Sequence, residues 1–282
     1  MAGGYVTRFA PSPTGPLHLG HAFSALTAFG RARAAGGVML LRIEDIDRTR
    51  SRAEWEAAIH DDLAWLGVTY PRAVMRQSER LDAYRAALDR LAALEVLYPC
   101  RCSRGDLRAA LSAPQEGATL TGPDGVIYPG TCRARGMHEA GPEDAIRLDM
   151  ARAVALTGDL AFEESGEAAG SHRFDAAHMV RAVGDVVLAR RDFGTSYHLS
   201  VVVDDAAQQV TEVVRGADLF DATPIHALLQ RLLQLPTPAY HHHRLIRDAA
   251  GKRLAKRDDA RALSKFRAEG ATPDDIRRMV GL

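Results

Sequence analysis

The chain's 282 residues, 46% of them apolar, suffice for one large hydrophobic core or two modest ones. Lysine plus arginine equals aspartate plus glutamate, 36 against 36, so no global charge draws the chain to nucleic acid. No stretch approaches the roughly eighteen apolar residues of a membrane span and no basic-then-apolar leader is present, which excludes a membrane role and predicts a cytoplasmic protein. Three cysteines, at 100, 102 and 132, argue against a disulfide framework and leave metal binding or free thiols.

Tyr5 to Ala10 carries the aromatic and β-branched residues of a short strand. It runs into a Pro/Gly-rich turn, Pro11-Ser-Pro-Thr-Gly-Pro-Leu-His-Leu-Gly-His21, and then into a helix marked by Phe23, Leu26 and Phe29 and ended by Gly36-Gly37. Free N–H groups and the positive end of the dipole favour an anion at such a junction, and His18 and His21 can reach the same phosphate there. Val38 to Asp45 begins apolar and ends acidic, the pattern of a buried strand whose C-terminal edge opens onto a site. Ser51 and Glu54 have capping-box spacing for a helix that turns Trp55, Ile59, Leu63 and Leu66 inward and stops at Gly67. A second amphipathic helix carries Leu81, Tyr84, Leu88, Leu91 and Leu94, and this alternation predicts a parallel α/β architecture.

From Tyr98 to Gly184 glycine and proline become frequent, Gln115 to Gly130 reads as a loop, and the segment reads as an inserted subdomain. Beyond it, Tyr197 to Asp205 reads as another apolar strand ending in acids, Val210 to Val214 as a further strand, and Leu228 to Leu235 as the end of a helix closed by Pro236 and Pro238. Local basic patches remain within the neutral total: nine Lys/Arg against three Asp between Arg244 and Arg267, and arginines around the cysteines. Either could meet RNA phosphates or serve as a solvated face.

Two groups of residues suggest chemistry. Arg8 on the first strand and Glu44 at the end of the second offer a guanidinium for a carboxylate and a carboxylate for an ammonium, the complement of an amino acid; a structural ion-pair cluster at the strand end fits equally well. Cys100-x-Cys102 with Cys132 supplies three thiolates and leaves a fourth zinc ligand open among Tyr128, His138 and His172, of which chemistry favours a histidine. His241-His242-His243 is not read as a metal site, because successive side chains on extended backbone point to opposite sides.

The Pro11–His21 turn resembles the ATP-binding signature of class I aminoacyl-tRNA synthetases. Together with Arg42-Ile-Glu-Asp-Ile-Asp47, the segment Asp192-Phe-Gly-Thr-Ser-Tyr-His-Leu199 and Val213-Val-Arg-Gly-Ala-Asp-Leu219, it is similar to the catalytic core of glutamyl-tRNA synthetases. The resemblance runs from about Tyr5 to Asp258. It implies a Rossmann-type α/β core, a glutamate pocket lined by Arg8, Ala10, Ser12, Glu44, Tyr197 and Arg215, and an ATP site formed by His18, Gly20, His21 and Lys256, with His18, His21 and Lys256 stabilising charge during adenylation. Gly251-Lys-Arg-Leu-Ala-Lys-Arg257 resembles the second, K-L-S-K-type signature, with Arg253 in place of its first lysine, Ala255 in place of its serine and Lys256 as its second lysine.

A C-x-C with Y-x-x-x-C in the insert resembles the glutamyl-queuosine tRNA(Asp) synthetases, and implies one structural zinc held by Cys100, Cys102, Tyr128 and Cys132. Only 26 residues follow Lys256, too few for an anticodon-binding domain, so a stand-alone core is expected. The expected organisation is residues 1–97 and 185–247 as the two halves of the catalytic domain, 98–184 as a zinc-bearing insert, and 248–282 as the basic loop and a short helical segment. The implied activity is ATP- and magnesium-dependent activation of L-glutamate and its transfer to queuosine in the anticodon of tRNA(Asp), by a monomer. A compact glutamyl-tRNA synthetase charging acceptor ends, or a non-catalytic tRNA-binding paralogue, are the alternative readings.

Overall fold

A computed structural model describes residues 4–103, 105–107, 121–247 and 261–282. The Lys256 signature loop lies outside the described residues. Strand β1 (Val6–Phe9) leads through the Pro/Gly turn into α1 (Leu19–Ala34) and returns as β2 (Val38–Ile43). The two strands pair in parallel, Val6 opposite Val38 and Phe9 opposite Leu41, as a strand-helix-strand unit must. Helix α2 (Ala53–Trp65) precedes β3 (Met75–Arg76), which extends the sheet on β2, and α3 (Leu81–Ala93) follows. Strand β4 (Leu97–Cys100) then enters the next region.

That region contains the hairpin β5 (Thr121–Gly122) and β6 (Gly125–Val126), then β7 (Ala145–Leu148), α4 (Met150–Thr157), β8 (Leu160–Glu164), β9 (Gly170–Phe174), α5 (Ala176–His178) and β10 (Val187–Ala189). Strands β10, β7 and β4 form an antiparallel sheet. The chain closes with α6 (Tyr197–Ala207), β11 (Glu212–Gly216), α7 (Thr223–Leu232), β12 (Ala239–His243), α8 (Leu263–Ala268) and α9 (Pro273–Val280). Strands β11, β12 and β8 pair in parallel, with β9 antiparallel on β8. Residues 98–184, expected as an insert, are therefore not confined to one subdomain, because β8 and β9 complete the sheet of β11 and β12.

The two parallel pieces meet along β1 and β11. Thr211 N–H donates to the Val6 carbonyl at 2.8 Å and Arg8 Nη1 to the Val214 carbonyl at 3.1 Å, so the two strands run side by side in one direction. The strand order reverses there, and the crevice outside the carboxyl ends of such strands is where open α/β sheets bind ligands.

Two elements differ from the sequence reading. Tyr197 to Asp205 is helical, not extended. An uninterrupted apolar run does not distinguish a buried strand from a helix buried on most of its circumference. Here Ser196 caps the helix, its side chain accepting from Leu199 N–H, and Asp204 and Asp205 turn inward to buried partners. Ser51 does not cap α2: the N-cap is Arg52, without a side-chain bond. The preceding chain is held by its backbone instead, Arg52 N–H on the Pro13 carbonyl and Ser51 N–H on that of Asp47, each at 3.0 Å.

One hydrophobic cluster packs α1 and α2 on β1 and β2 and takes in Leu263 and Ile276 of the C-terminal helices. The other unites Tyr84 and Leu91 of α3, Leu97, Leu148 and Leu188 of the antiparallel sheet, Val154 of α4, Leu199 of α6 and Leu228 of α7. Among the described residues no helix is long and apolar enough to cross a membrane.

Asp204 is fully buried and accepts from Arg80 Nε at 2.7 Å, the Tyr84 hydroxyl at 2.7 Å and Gln77 Nε2 at 3.0 Å. Asp204→Ala strands these donors and is expected to cost about 3 to 5 kcal/mol in urea unfolding. An unfolding midpoint equal to that of the unaltered chain would show that the cluster is not structural.

Candidate active site

The carboxyl ends of β1, β2 and β11 and the N-terminus of α6 surround a cavity of about 560 Å³. Arg8, Ala10, Ser12, Glu44, Tyr197 and Arg215, all expected around one substrate, line it together, with His21 alongside. Arg8 is buried. Its Nε lies 2.9 Å from Asp205 Oδ1 and its Nη1 holds the Val214 carbonyl. Arg42, with no exposure at all, reaches the same Asp205 oxygen at 2.6 Å and Glu44 at 3.1 Å. Glu44 thus both lines the cavity and belongs to an ion-pair cluster. Burial raises the Glu44 carboxyl above its usual range against the pull of Arg42 and Arg8. Burial also works on Asp205, but Arg42 and Arg8 outweigh it and hold its carboxyl below the usual range.

Arg215 is also buried, and among the described residues none of its hydrogen bonds goes to a carboxylate. Nε meets His242 Nε2 at 3.0 Å, Nη1 meets His226 Nδ1 at 3.0 Å, Nη2 meets the Thr223 hydroxyl at 2.8 Å and the Leu219 carbonyl at 3.2 Å, and the Tyr197 hydroxyl lies 3.5 Å from Nη1. A buried cation whose direct partners are all uncharged suits an anionic ligand. Burial and then the Arg215 charge pull the His242 imidazole down to about 4, against Glu164, whose carboxylate bonds Nδ1 at 2.5 Å. The same two causes, in the same order, hold His226 well below its ordinary value.

In the turn before α1, His18 is the N-cap: its Nδ1 accepts from Gly20 N–H, and His21 Nδ1 accepts from His18 N–H, both at 3.1 Å. Accepting at Nδ1 places each neutral ring's proton on Nε2. The ring centroids are 3.8 Å apart. Gly20 is required by this packing, since a Cβ there would stand 2.9 Å from His18 Cε1. The turn is tied to the C-terminal segment by Leu263 N–H on the Leu17 carbonyl at 2.8 Å.

The sulfurs of Cys100, Cys102 and Cys132 lie within 4.8 Å of one another, a possible metal site. The Tyr128 hydroxyl stands 3.4 Å from Cys100 Sγ and 3.3 Å from Cys102 Sγ and accepts from Cys132 N–H at 2.9 Å. Three thiols and one oxygen around a common point suit a tetrahedral, thiophilic cation. Neither His138 nor His172 joins the cluster. His172, on β9, has its Nε2 bonded to the Ala168 carbonyl in the preceding turn, and His138 sits over Gly136.

Sequence reasoning did not assign ligand-site roles to Gln77, Arg190 and Phe193, which also line the cavity, or to Asp205 beneath it. Asp205 carried a signal: two acids ending an apolar run, with unpaired arginines on two other strands, mark a buried countercharge.

Residues 5–282 match the family model for tRNA synthetases class I (E and Q), catalytic domain. A glutamyl-Q tRNA(Asp) synthetase of Rhodobacter capsulatus is 64% identical over 281 residues, covering 98% of this chain and 100% of that protein. The chain belongs to the glutamyl-Q tRNA(Asp) synthetases. A second glutamyl-Q tRNA(Asp) synthetase, from Symbiobacterium thermophilum, is 45% identical over 95% of this chain and 83% of its own length. Among solved structures, a glutamate tRNA ligase from Elizabethkingia meningosepticum, in complex with its amino acid, superposes with a TM-score of 0.78 at 26% identity over 99% of this chain. The chain spans 61% of that ligase. Like other glutamyl-Q tRNA(Asp) synthetases it is an enzyme of the class I aminoacyl-tRNA synthetase type, built on a parallel α/β sheet.

His242 and His226 titrate lower in the folded chain than the value of about 6.5 expected on unfolding. Their contribution to stability is full above that value and is lost as the pH falls below about 6.5, for His242 toward about 4, the unfolded chain taking up protons that the folded one refuses. The slope is about 1.4 kcal/mol per pH unit for each such histidine. Urea unfolding followed across this window is expected to show it, with a shallower slope in His242→Gln. A stability independent of pH there would contradict the assignment.

Proposed function

We propose that this enzyme activates L-glutamate with ATP and transfers the glutamyl group to the queuosine base in the anticodon of tRNA(Asp). The observation that carries the reading is the buried Arg215 guanidinium, bonded to no carboxylate among the described residues, facing a cavity that also contains Arg8 and Glu44. Two guanidinium groups can receive the two carboxylates of glutamate, and Glu44 its ammonium. The Tyr197 hydroxyl, whose proton is held by burial, donates to substrate oxygen. ATP is placed with its phosphates over the N-terminus of α1, where His18, Gly20 and His21 present the dipole and ring N–H groups. Lys256 and the magnesium that accompanies ATP share the triphosphate charge.

The glutamate α-carboxylate then attacks the α-phosphorus of ATP, forming glutamyl-adenylate and releasing pyrophosphate. A hydroxyl of the queuosine cyclopentenediol next attacks the activated carbonyl, an ester forms and AMP leaves. The contributions of the protein are orientation and electrostatic stabilisation, with no covalent enzyme intermediate. Residues 1–97 and 185–247, with β8 and β9 completing their sheet, carry activation, and the rest of 98–184 the metal cluster and the approach of the acceptor. The enzyme acts as a cytoplasmic monomer.

Labelled glutamate offered with queuosine-containing and queuosine-free tRNA(Asp) is expected to label only the former. Equal labelling, or labelling of tRNA(Glu) instead, would overturn the acceptor.

The same reading makes the cation at Cys100, Cys102, Cys132 and Tyr128 a structural zinc, holding a region with little core of its own. Metal analysis of the purified protein is expected to find about one zinc per chain, and Tyr128→Phe to bind it more weakly in competition with a chelator. Equal zinc retention in the two proteins would remove the phenolate from the ligand set.

A further inference from the structure

Arg215 is gripped by two imidazoles, and following their protons outward traces a chain across the molecule. Arg215 Nη1 donates to His226 Nδ1. A neutral imidazole that accepts at one nitrogen carries its proton on the other, so the His226 proton is on Nε2, 3.1 Å from His198 Nδ1. The same step puts the His198 proton on Nε2, 3.2 Å from Asp124 Oδ1. In the other direction Arg215 Nε donates to His242 Nε2, so the His242 proton is on Nδ1, against the Glu164 carboxylate. Every donor points away from the guanidinium and both ends are anions, so one tautomer of each ring satisfies the whole series and each bond polarises the next.

The ends are unequal. Glu164 has no exposed side-chain surface and also accepts from the backbone N–H groups of His242 at 2.9 Å and Gly166 at 2.5 Å. Asp124 sits in the turn between β5 and β6 with its side chain 42% exposed. It lines a second cavity, of about 750 Å³, which shares Arg190, Tyr197 and Leu219 with the glutamate site.

We propose that His226 and His198 are positioning residues for Arg215, and that Asp124 is the accessible end through which the second cavity sets the grip on glutamate. A ligand presenting hydroxyl or ammonium donors there, as the acceptor nucleoside does, competes with His198 for Asp124, depolarises the chain and loosens Arg215 on its carboxylate. The inference rests on the reading of the first cavity as a glutamate site.

Glutamate-dependent ATP/pyrophosphate exchange tests it. Asp124→Ala is expected to raise KM for glutamate about fivefold, the scale of one charge-assisted hydrogen bond acting at a distance, with the loss in that KM and not in kcat or in KM for ATP. Its melting temperature is expected to stay at that of the unaltered chain, because the turn is exposed. His226→Phe is expected to raise the same KM further, and His226→Gln, which keeps one acceptor and one donor, to recover most of it. The Asp124→Ala/His226→Phe double variant is expected to be no worse than His226→Phe alone. An unchanged glutamate KM in Asp124→Ala, or strictly additive losses in the double variant, would overturn the proposal. Imidazole ¹⁵N chemical shifts give a readout that needs no substrate: Nε2–H tautomers at His198 and His226 and Nδ1–H at His242 support the chain, and any other pattern refutes it. Exchange that fails to respond to glutamate in the unaltered protein would count against the glutamate reading, and the shifts would then decide the chain separately.

Discussion

One carboxylate oxygen organises this molecule. Asp205 Oδ1 receives Arg8 from the first strand and Arg42 from the second, at 2.9 and 2.6 Å, at the point where the sheet reverses its order. Two guanidinium groups buried side by side repel, and neither has enough solvent to screen it. The shared anion makes their proximity tolerable, leaving Arg42 able to steady Glu44 and Arg8 to face the cavity. The need to deliver that anion from α6 also explains why an apolar segment ending in acids is a helix: successive residues Asp204 and Asp205 must serve different partners, one toward α3 and the other toward the strands.

Much of this site was legible in the sequence for a physical reason. Strand ends and helix starts are where backbone groups are unsatisfied, and the chain marks them with residues of restricted conformation. The prolines and glycines of residues 11–20 and the charged end of β2 fall at such boundaries, so Arg8, Glu44 and His21 carried a signal in the residues themselves, whereas Arg215 on β11 was singled out only by the family resemblance. The error at Tyr197–Asp205 arose where that punctuation is missing: Val201-Val202-Val203 favours a strand locally, and only the burial of both flanks by α3, α7 and the antiparallel sheet overrides it. The failed Ser51 cap is similar, since backbone bonds to Pro13 and Asp47 had already fixed the entry to α2. Pairings over long sequence separations, such as Asp124 with His198 or Tyr128 with Cys100, leave no periodic trace at all.

The cysteine cluster shows the other limit of residue-by-residue chemistry. A histidine is the better zinc ligand in isolation, and two were at hand in sequence. In the structure His172 is committed to β9 and its aromatic neighbours, whereas Tyr128 stands beside the sulfurs, with the Arg147 guanidinium carbon 3.9 Å from its ring centroid. Burial and the neighbouring thiols hold the phenol's proton more firmly than usual, so its recruitment as a ligand, as proposed, depends on the charge of the cation itself.

The hydrophobic cluster that joins α3, the antiparallel sheet, α6 and α7 passes beneath both cavities. Side chains from the two regions interlock in one close-packed interior, and such interiors yield little to small forces. Tyr197 packs against that cluster and lines both cavities, so a change at this one shared wall residue reshapes the two of them at once.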